Sequence, residues 1–98
     1  MAHVLELAAC LRLARAYRDA GRHAAAGDIY AELLEASPLQ TNAQEGLLLA
    51  TAEAGDLAGL EAAWERVRTI WDGDPPKDLR ELYEGLRREV AAAHRPGR

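Results

Sequence analysis

The chain has one cysteine, Cys10, few aromatic residues and no phenylalanine. A single cysteine excludes an internal disulfide and a cysteine-rich metal site, and it fits a reducing compartment such as the cytoplasm. Val, Ile and Thr, the residues that favour strands, are scarce. No apolar run approaches the ~20 residues that a membrane-crossing helix needs. The opening stretch MAHVLELAACLRLAR has no basic segment before its apolar part, so it reads as a helix rather than a signal peptide. Positive charge is not in excess either. Twelve Lys and Arg against 16 Asp and Glu leave a net charge of −4, which speaks against a nucleic-acid surface, because phosphate binding needs a basic face.

What fills the chain instead is Ala, Leu, Arg and Glu, all strong helix formers. With 49% of 98 residues apolar, it has enough material for one globular all-α domain over about residues 1–94. A short tail, 95–98, is expected to fray. In the first helix, about Val4 to Ala20, Leu7, Cys10, Leu11, Ala14 and Tyr17 recur at helical spacing. Gly21 is its stop signal. A second helix, His23 to Ala36, carries Ala26, Ile29, Tyr30, Leu33 and Leu34 on one face. Two starts compete for the third. Ser37-Pro38-Leu39-Gln40 offers a capping hydroxyl and a proline at the first turn, and Thr41-Asn42-Ala43-Gln44 offers a slightly later one. This helix ends at Gly55, with Asp56 capping a fourth from Leu57 to Trp71. The stripe of the fourth helix is Leu60, Ala63, Trp64, Val67, Ile70 and Trp71. Asp72-Gly73 breaks it, and Asp74-Pro75-Pro76 opens a fifth helix, about 75–93, with the stripe Leu79, Leu82, Tyr83, Leu86 and Val90. Links this short predict antiparallel hairpins.

The pattern repeats. Gly21 and Gly55 stand 34 positions apart, and so do Leu13 and Leu47, Tyr30 and Trp64, and the triplets Asp19-Ala20-Gly21 and Glu53-Ala54-Gly55. A 34-residue helix–turn–helix period resembles the tetratricopeptide repeat. In the first unit, about 7–40, Leu13, Tyr17, Ala26 and Pro38 match that repeat's pattern, Ala14 and Tyr30 are conservative changes, and Cys10 departs from it. The second unit, about 41–73, keeps the first Leu, the turn Gly and a large aromatic, and is otherwise degenerate. The expected architecture is a right-handed tetratricopeptide-like array of two antiparallel hairpins and a C-terminal capping helix. The cap presents Arg80, Glu81, Glu84, Arg87, Arg88 and Glu89 as a polar side.

Three stretches carry a closer likeness: AYRDAGRHAAAGDIYAELLEASPL, GLLLATAEAGDLAGLEAAWERVRTIW and DPPKDLRELYEGL. In this order they resemble the bacterial transcriptional activator domain, the repeat domain that follows the DNA-binding domain in actinomycete antibiotic-pathway regulators. The likeness runs from about Leu7 to Arg88. The link Trp71-Asp72-Gly73-Asp74 is shorter than the family's, and no helix-turn-helix DNA reader is present. The family domain usually has further helices on its N-terminal side, so the chain reads as the C-terminal part of a longer protein. The resemblance implies a protein-interaction or regulatory domain of a bacterial transcriptional regulator or other multidomain protein. It does not transfer DNA binding to these residues.

Chemistry is sparse. His3, His23 and His94 are scattered; His3 and Cys10 share a helical face, but two ligands do not make a metal site. Asp72-Gly73-Asp74 lacks the Gly and Glu that a calcium loop needs further on. Glu61/Glu65 and Glu81/Glu84 have the spacing of solvated helix faces. There is no Gly-rich phosphate loop, and no Ser or Cys nucleophile has an evident base. No enzyme, cofactor or metal is expected.

Arg12, Arg15, Arg18 and Arg22 run along one side of the first helix and its turn. They read either as a grip for an acidic segment or as a solvated face paired with Glu and Asp. The repeat resemblance places a concave groove on the first helix of each hairpin. By position that groove takes Leu11, Arg15, Arg18 and Asp19 from one unit, and Asn42, Glu45, Leu49 and Glu53 from the other. Leu11 and Leu49 read equally as burial against the fifth helix or a missing neighbour. The expected partner is a protein or peptide, including other domains of the parent chain. Self-association through Val4, Leu7, Leu11 or the fifth-helix stripe is the alternative. A small-ligand pocket between the helices is a further one, marked by no particular residue.

Overall fold

Five helices follow one another: α1 (Ala2–Asp19), α2 (His23–Ala36), α3 (Thr41–Glu53), α4 (Leu57–Ile70) and α5 (Lys77–His94). They belong to a computed structural model that describes residues 2–94, with side chains from Leu7 onward. There is no strand among the described residues, as the scarcity of β-branched residues requires. The expected tail, 95–98, lies outside the described residues.

Each helix packs on the one before it. In addition, α1 meets α3 and α3 meets α5. The helices therefore form two layers: α1, α3 and α5 side by side, with α2 over the α1–α3 seam and α4 over the α3–α5 seam. The molecule is a slab of 54 × 33 × 17 Å, about two helices thick at usual interaxial distances. The core runs along the plane between the layers. Ala14, Ala26, Leu34, Ala43, Leu48, Ala50, Leu60, Val67 and Leu79 are all nearly or fully buried there. Ala14 and Ala26 let α1 and α2 approach closely, and Tyr30 is 3% exposed. On α5 the stripe is buried at Leu79 and Val90 and half-buried at Leu82, Tyr83 and Leu86. The Tyr83 ring stacks on Trp64 with centroids 4.6 Å apart. Opposite this stripe, Arg80, Glu81, Glu84, Arg87, Arg88 and Glu89 are all exposed.

The two hairpins close identically. Gly21 and Gly55 have φ of 80° and 71°, a left-handed conformation that costs glycine little. Around them the amides of Gly21 and Arg22 donate to Arg18 O and Tyr17 O, and those of Gly55 and Asp56 donate to Ala52 O and Thr51 O. This is the Schellman closure of a helix end, repeated at a spacing of 34. The end of α4 uses it again, with Gly73 N on Arg68 O at 2.7 Å and Asp72 itself at φ 55°. Asp56 caps α4 as expected, accepting from Gly59 N at 2.9 Å.

Of the two competing starts, α3 takes the later: it begins at Thr41, and Gln40 precedes the helix and makes no side-chain cap bond. Gln40 N donates to Ser37 O, closing a turn. The Pro38 carbonyl, which a helix from Pro38 would use for its own ladder, accepts instead from the Gln44 amide at 2.7 Å. Leu13 and Leu47, which match each other across the 34-residue spacing, differ in burial: Leu13 is 48% exposed and Leu47 is 7% exposed.

Candidate partner groove

The open side of the α1–α3 seam is concave. The depression, about 500 Å³, is lined by Leu11, Arg12, Arg15, Arg18 and Asp19 from α1 and by Asn42, Glu45, Gly46 and Leu49 from α3, with Tyr30 of α2 reaching it from behind. It exists because α1 and α3 touch less closely than either touches α2. Residues spaced three and four apart on α1 face those on α3 across the gap. Tyr30 comes close to α3 because Gly46 lacks a side chain; a Cβ there would overlap the ring.

Seven of the eight residues expected in a groove lie together in it: Leu11, Arg15, Arg18, Asp19, Asn42, Glu45 and Leu49. Leu11 and Leu49 are half-buried, and Arg15, Asp19, Asn42 and Glu45 are exposed. The eighth, Glu53, is engaged with Arg18. Arg18 donates from Nε to Glu53 Oε1 at 3.1 Å and from Nη2 to Oε2 at 2.8 Å. This two-pronged pair bolts the end of α1 to the end of α3. The bond to Glu53 raises the Arg18 pKa further above its ordinary value, with Tyr30 adding to the effect against partial burial. The bond to Arg18 in turn holds the Glu53 carboxyl below its ordinary range, against partial desolvation. His23 Nδ1 stands 3.5 Å from Glu53 Oε1, so this carboxylate faces residues of both α1 and α2.

Within the arginine series, then, the four residues do different things. Arg18 is held by Glu53, and Arg22 lies over the Tyr17 ring at 5.3 Å from its centroid, a cation–π contact. Arg12 and Arg15 form no ion pair among the described residues and point the charge of α1 at the groove. Three lining residues escaped the sequence reading. Arg12 belongs to the arginine series. Gly46, a glycine inside a helix pattern, signals close packing by another helix. Tyr30 reads only as core.

The other residues with chemical potential stay apart. Among the described residues no group of three or more His, Cys, Asp or Glu is placed to hold a metal, and no helix is long and apolar enough to cross a membrane. His94 Nε2 contacts the Gly55 carbonyl, fastening the end of α5 to the α3–α4 turn. Glu61 accepts from Arg87 at 3.1 Å, and Glu65 accepts from Arg68 at 2.8 Å. The His3 side chain lies outside the described ones. No protein-family model, no curated protein and no solved structure matches the chain.

Proposed function

We propose that the chain is a non-catalytic protein-interaction module that holds a peptide segment in the α1–α3 groove. We read the module as a right-handed tetratricopeptide-like array with α5 as its cap. Its place is then the regulatory or interaction domain, or the C-terminal part of one, in a cytoplasmic bacterial transcriptional regulator or other multidomain protein. The segment held belongs to another protein or to another domain of the same parent chain. On this reading nucleic acid, membrane, metal and cofactor are not ligands. The 34-residue period, the two identical glycine closures and the layered packing support the array.

The observation that carries the binding role is the composition of the groove. Leu11 and Leu49 offer apolar contact among the polar side chains of Arg12, Arg15, Asn42 and Glu45, a mixture of the kind an interface that recognises a chain uses. Arg18 and Glu53 satisfy each other and hold the walls in place, which leaves Arg12 and Arg15 to meet acidic side chains. A trough open along one side suits an extended or helical segment better than an enclosed small molecule. An array of random peptides should return binders that place Asp or Glu next to Leu. Arg15→Glu and Asn42→Ala should abolish their binding in titration calorimetry with helicity intact. Binders that ignore both substitutions would sink the groove as the site.

A further inference from the structure

The outer face of α1 duplicates a face that is covered elsewhere in the molecule. Ala9, Leu13, Ala16 and Ala20 stand 34 positions before Ala43, Leu47, Ala50 and Ala54, residue type for residue type. In α3 the first three of these are 0%, 7% and 1% exposed, in a helix whose most extensive packing is against α2. In α1 the same face has no cover among the described residues: Leu13 is 48% exposed, and the three alanines are exposed as well. One set of side chains thus takes a helix in the second hairpin and meets solvent in the first. Together the four residues form a contiguous apolar face with a half-exposed leucine in it, where a further helix can dock.

Two features choose the occupant. Tyr30 of α2 comes down on α3 over Gly46, where a Cβ would overlap its ring. The matching residue of α1 is Arg12, so a helix carrying a ring at that place, as α2 does, is kept off. The stripe itself reads the same from both ends, in steps of four, three and four. Laid antiparallel against a second copy, Leu13 falls opposite Ala16, and Ala9 opposite Ala20, so a large side chain faces a small one at each central contact. Arg12 and Asp19 lie on one flank of the stripe and are exposed. Neither forms an ion pair among the described residues. A two-fold axis keeps equivalent flanks together, which brings each Arg12 near Asp19 of the other copy.

We infer that the chain self-associates through this face as an isologous antiparallel α1–α1 pair. The pairing surface is Ala9, Leu13, Ala16 and Ala20, flanked by Arg12 and Asp19. It is not the inner stripe of Leu7 and Leu11, which is half-buried against the core. The face adjoins the groove and shares Arg12 and Asp19 with it, whereas Ala9, Leu13, Ala16 and Ala20 lie outside the groove lining, so a substitution at Leu13 tests the pairing alone.

Sedimentation equilibrium of the full chain from about 1 μM to about 1 mM, the range of weak to moderate association, tests it. A concentration-dependent dimer is expected. Leu13→Glu should weaken it more than about a hundredfold, since a charge would be buried without a partner, and its circular dichroism should stay helical because Leu13 is half exposed already. Leu39→Glu, at a residue 65% exposed elsewhere, should leave the dimer intact. Arg12→Asp and Asp19→Arg should each weaken it, and the two together should restore it, because the exchange rebuilds the cross-pair. A monomer throughout the range would overturn the proposal, as would a dimer indifferent to Leu13→Glu. Loss of the dimer in the double exchange would overturn the antiparallel register.

Discussion

Leu13 and Leu47 occupy the same place in two hairpins, and their surroundings differ. Leu47 is 7% exposed, while Leu13 is 48% exposed. The same contrast holds at Ala9 against Ala43 and at Ala16 against Ala50. A repeat copies residues, but burial depends on having a neighbour, and among the described residues only the second hairpin has one on that side. Where the copies differ in residue type, the change follows the neighbour. Gly46 makes room for Tyr30, and its counterpart Arg12, which is exposed, carries a charge. Gln44, fully buried, donates to Pro38 O and accepts from Trp71 Nε1 at 3.1 Å, tying the α2–α3 link to the end of α4. Its counterpart Cys10 is half-buried and free.

The largest test of this contrast is the pair Leu47→Ala and Leu13→Ala. Thermal or urea unfolding should show a loss of about 3 kcal/mol for the first, from transfer and cavity terms. At dilutions where the chain is monomeric, the second should cost under about 1 kcal/mol. Equal losses would mean that something already covers Leu13 in the single chain. Next comes Gln44→Leu, which leaves a carbonyl and an indole N–H without partners and should cost about 2 kcal/mol. Trp71 fluorescence should shift as its bond is lost, whereas Cys10→Ser should leave that signal alone.

The smallest effect concerns the pair that joins the two hairpins. Glu53 is held below its unfolded pKa by Arg18. Its stabilising contribution is therefore present above the ordinary carboxylate range and is lost as pH falls through the lowered folded value. Glu53→Gln should cost about 1 kcal/mol or less at neutral pH, given the partial exposure of the pair. It should also flatten the acid limb of the stability curve. An unchanged acid limb would show that the pair contributes nothing to the joint.

The sequence reading located all five helices to within about two residues, the usual uncertainty of helix ends, because period and stop signals are local. It leaves the start of α3 open between Ser37-Pro38 and Thr41, because what decides for Thr41 is a side chain seven positions from Ser37, Gln44, whose hold on Pro38 O no local rule contains. Analogy of position with the repeat points to eight groove residues, and seven of them line one depression. Their pairing was not legible: that Arg18 would be spent on Glu53, 35 residues away, depends on how α1 lies across α3. The twin stripe on α1 and α3 was readable as repeated letters, yet only burial reveals that one copy is covered and the other bare.

Among the helices, α3 alone packs against all four others. Terminal elements of a stacked array can open while their neighbours stay folded, since each touches only part of the stack. For α3 no such partial opening exists: releasing its amides means detaching both hairpins and the cap together. Its backbone protons should therefore exchange with solvent only through global unfolding, while those of α1 exchange through a shallower opening. That gradient would place the groove across a mobile wall and a fixed one, with the adjustable side carrying the arginines.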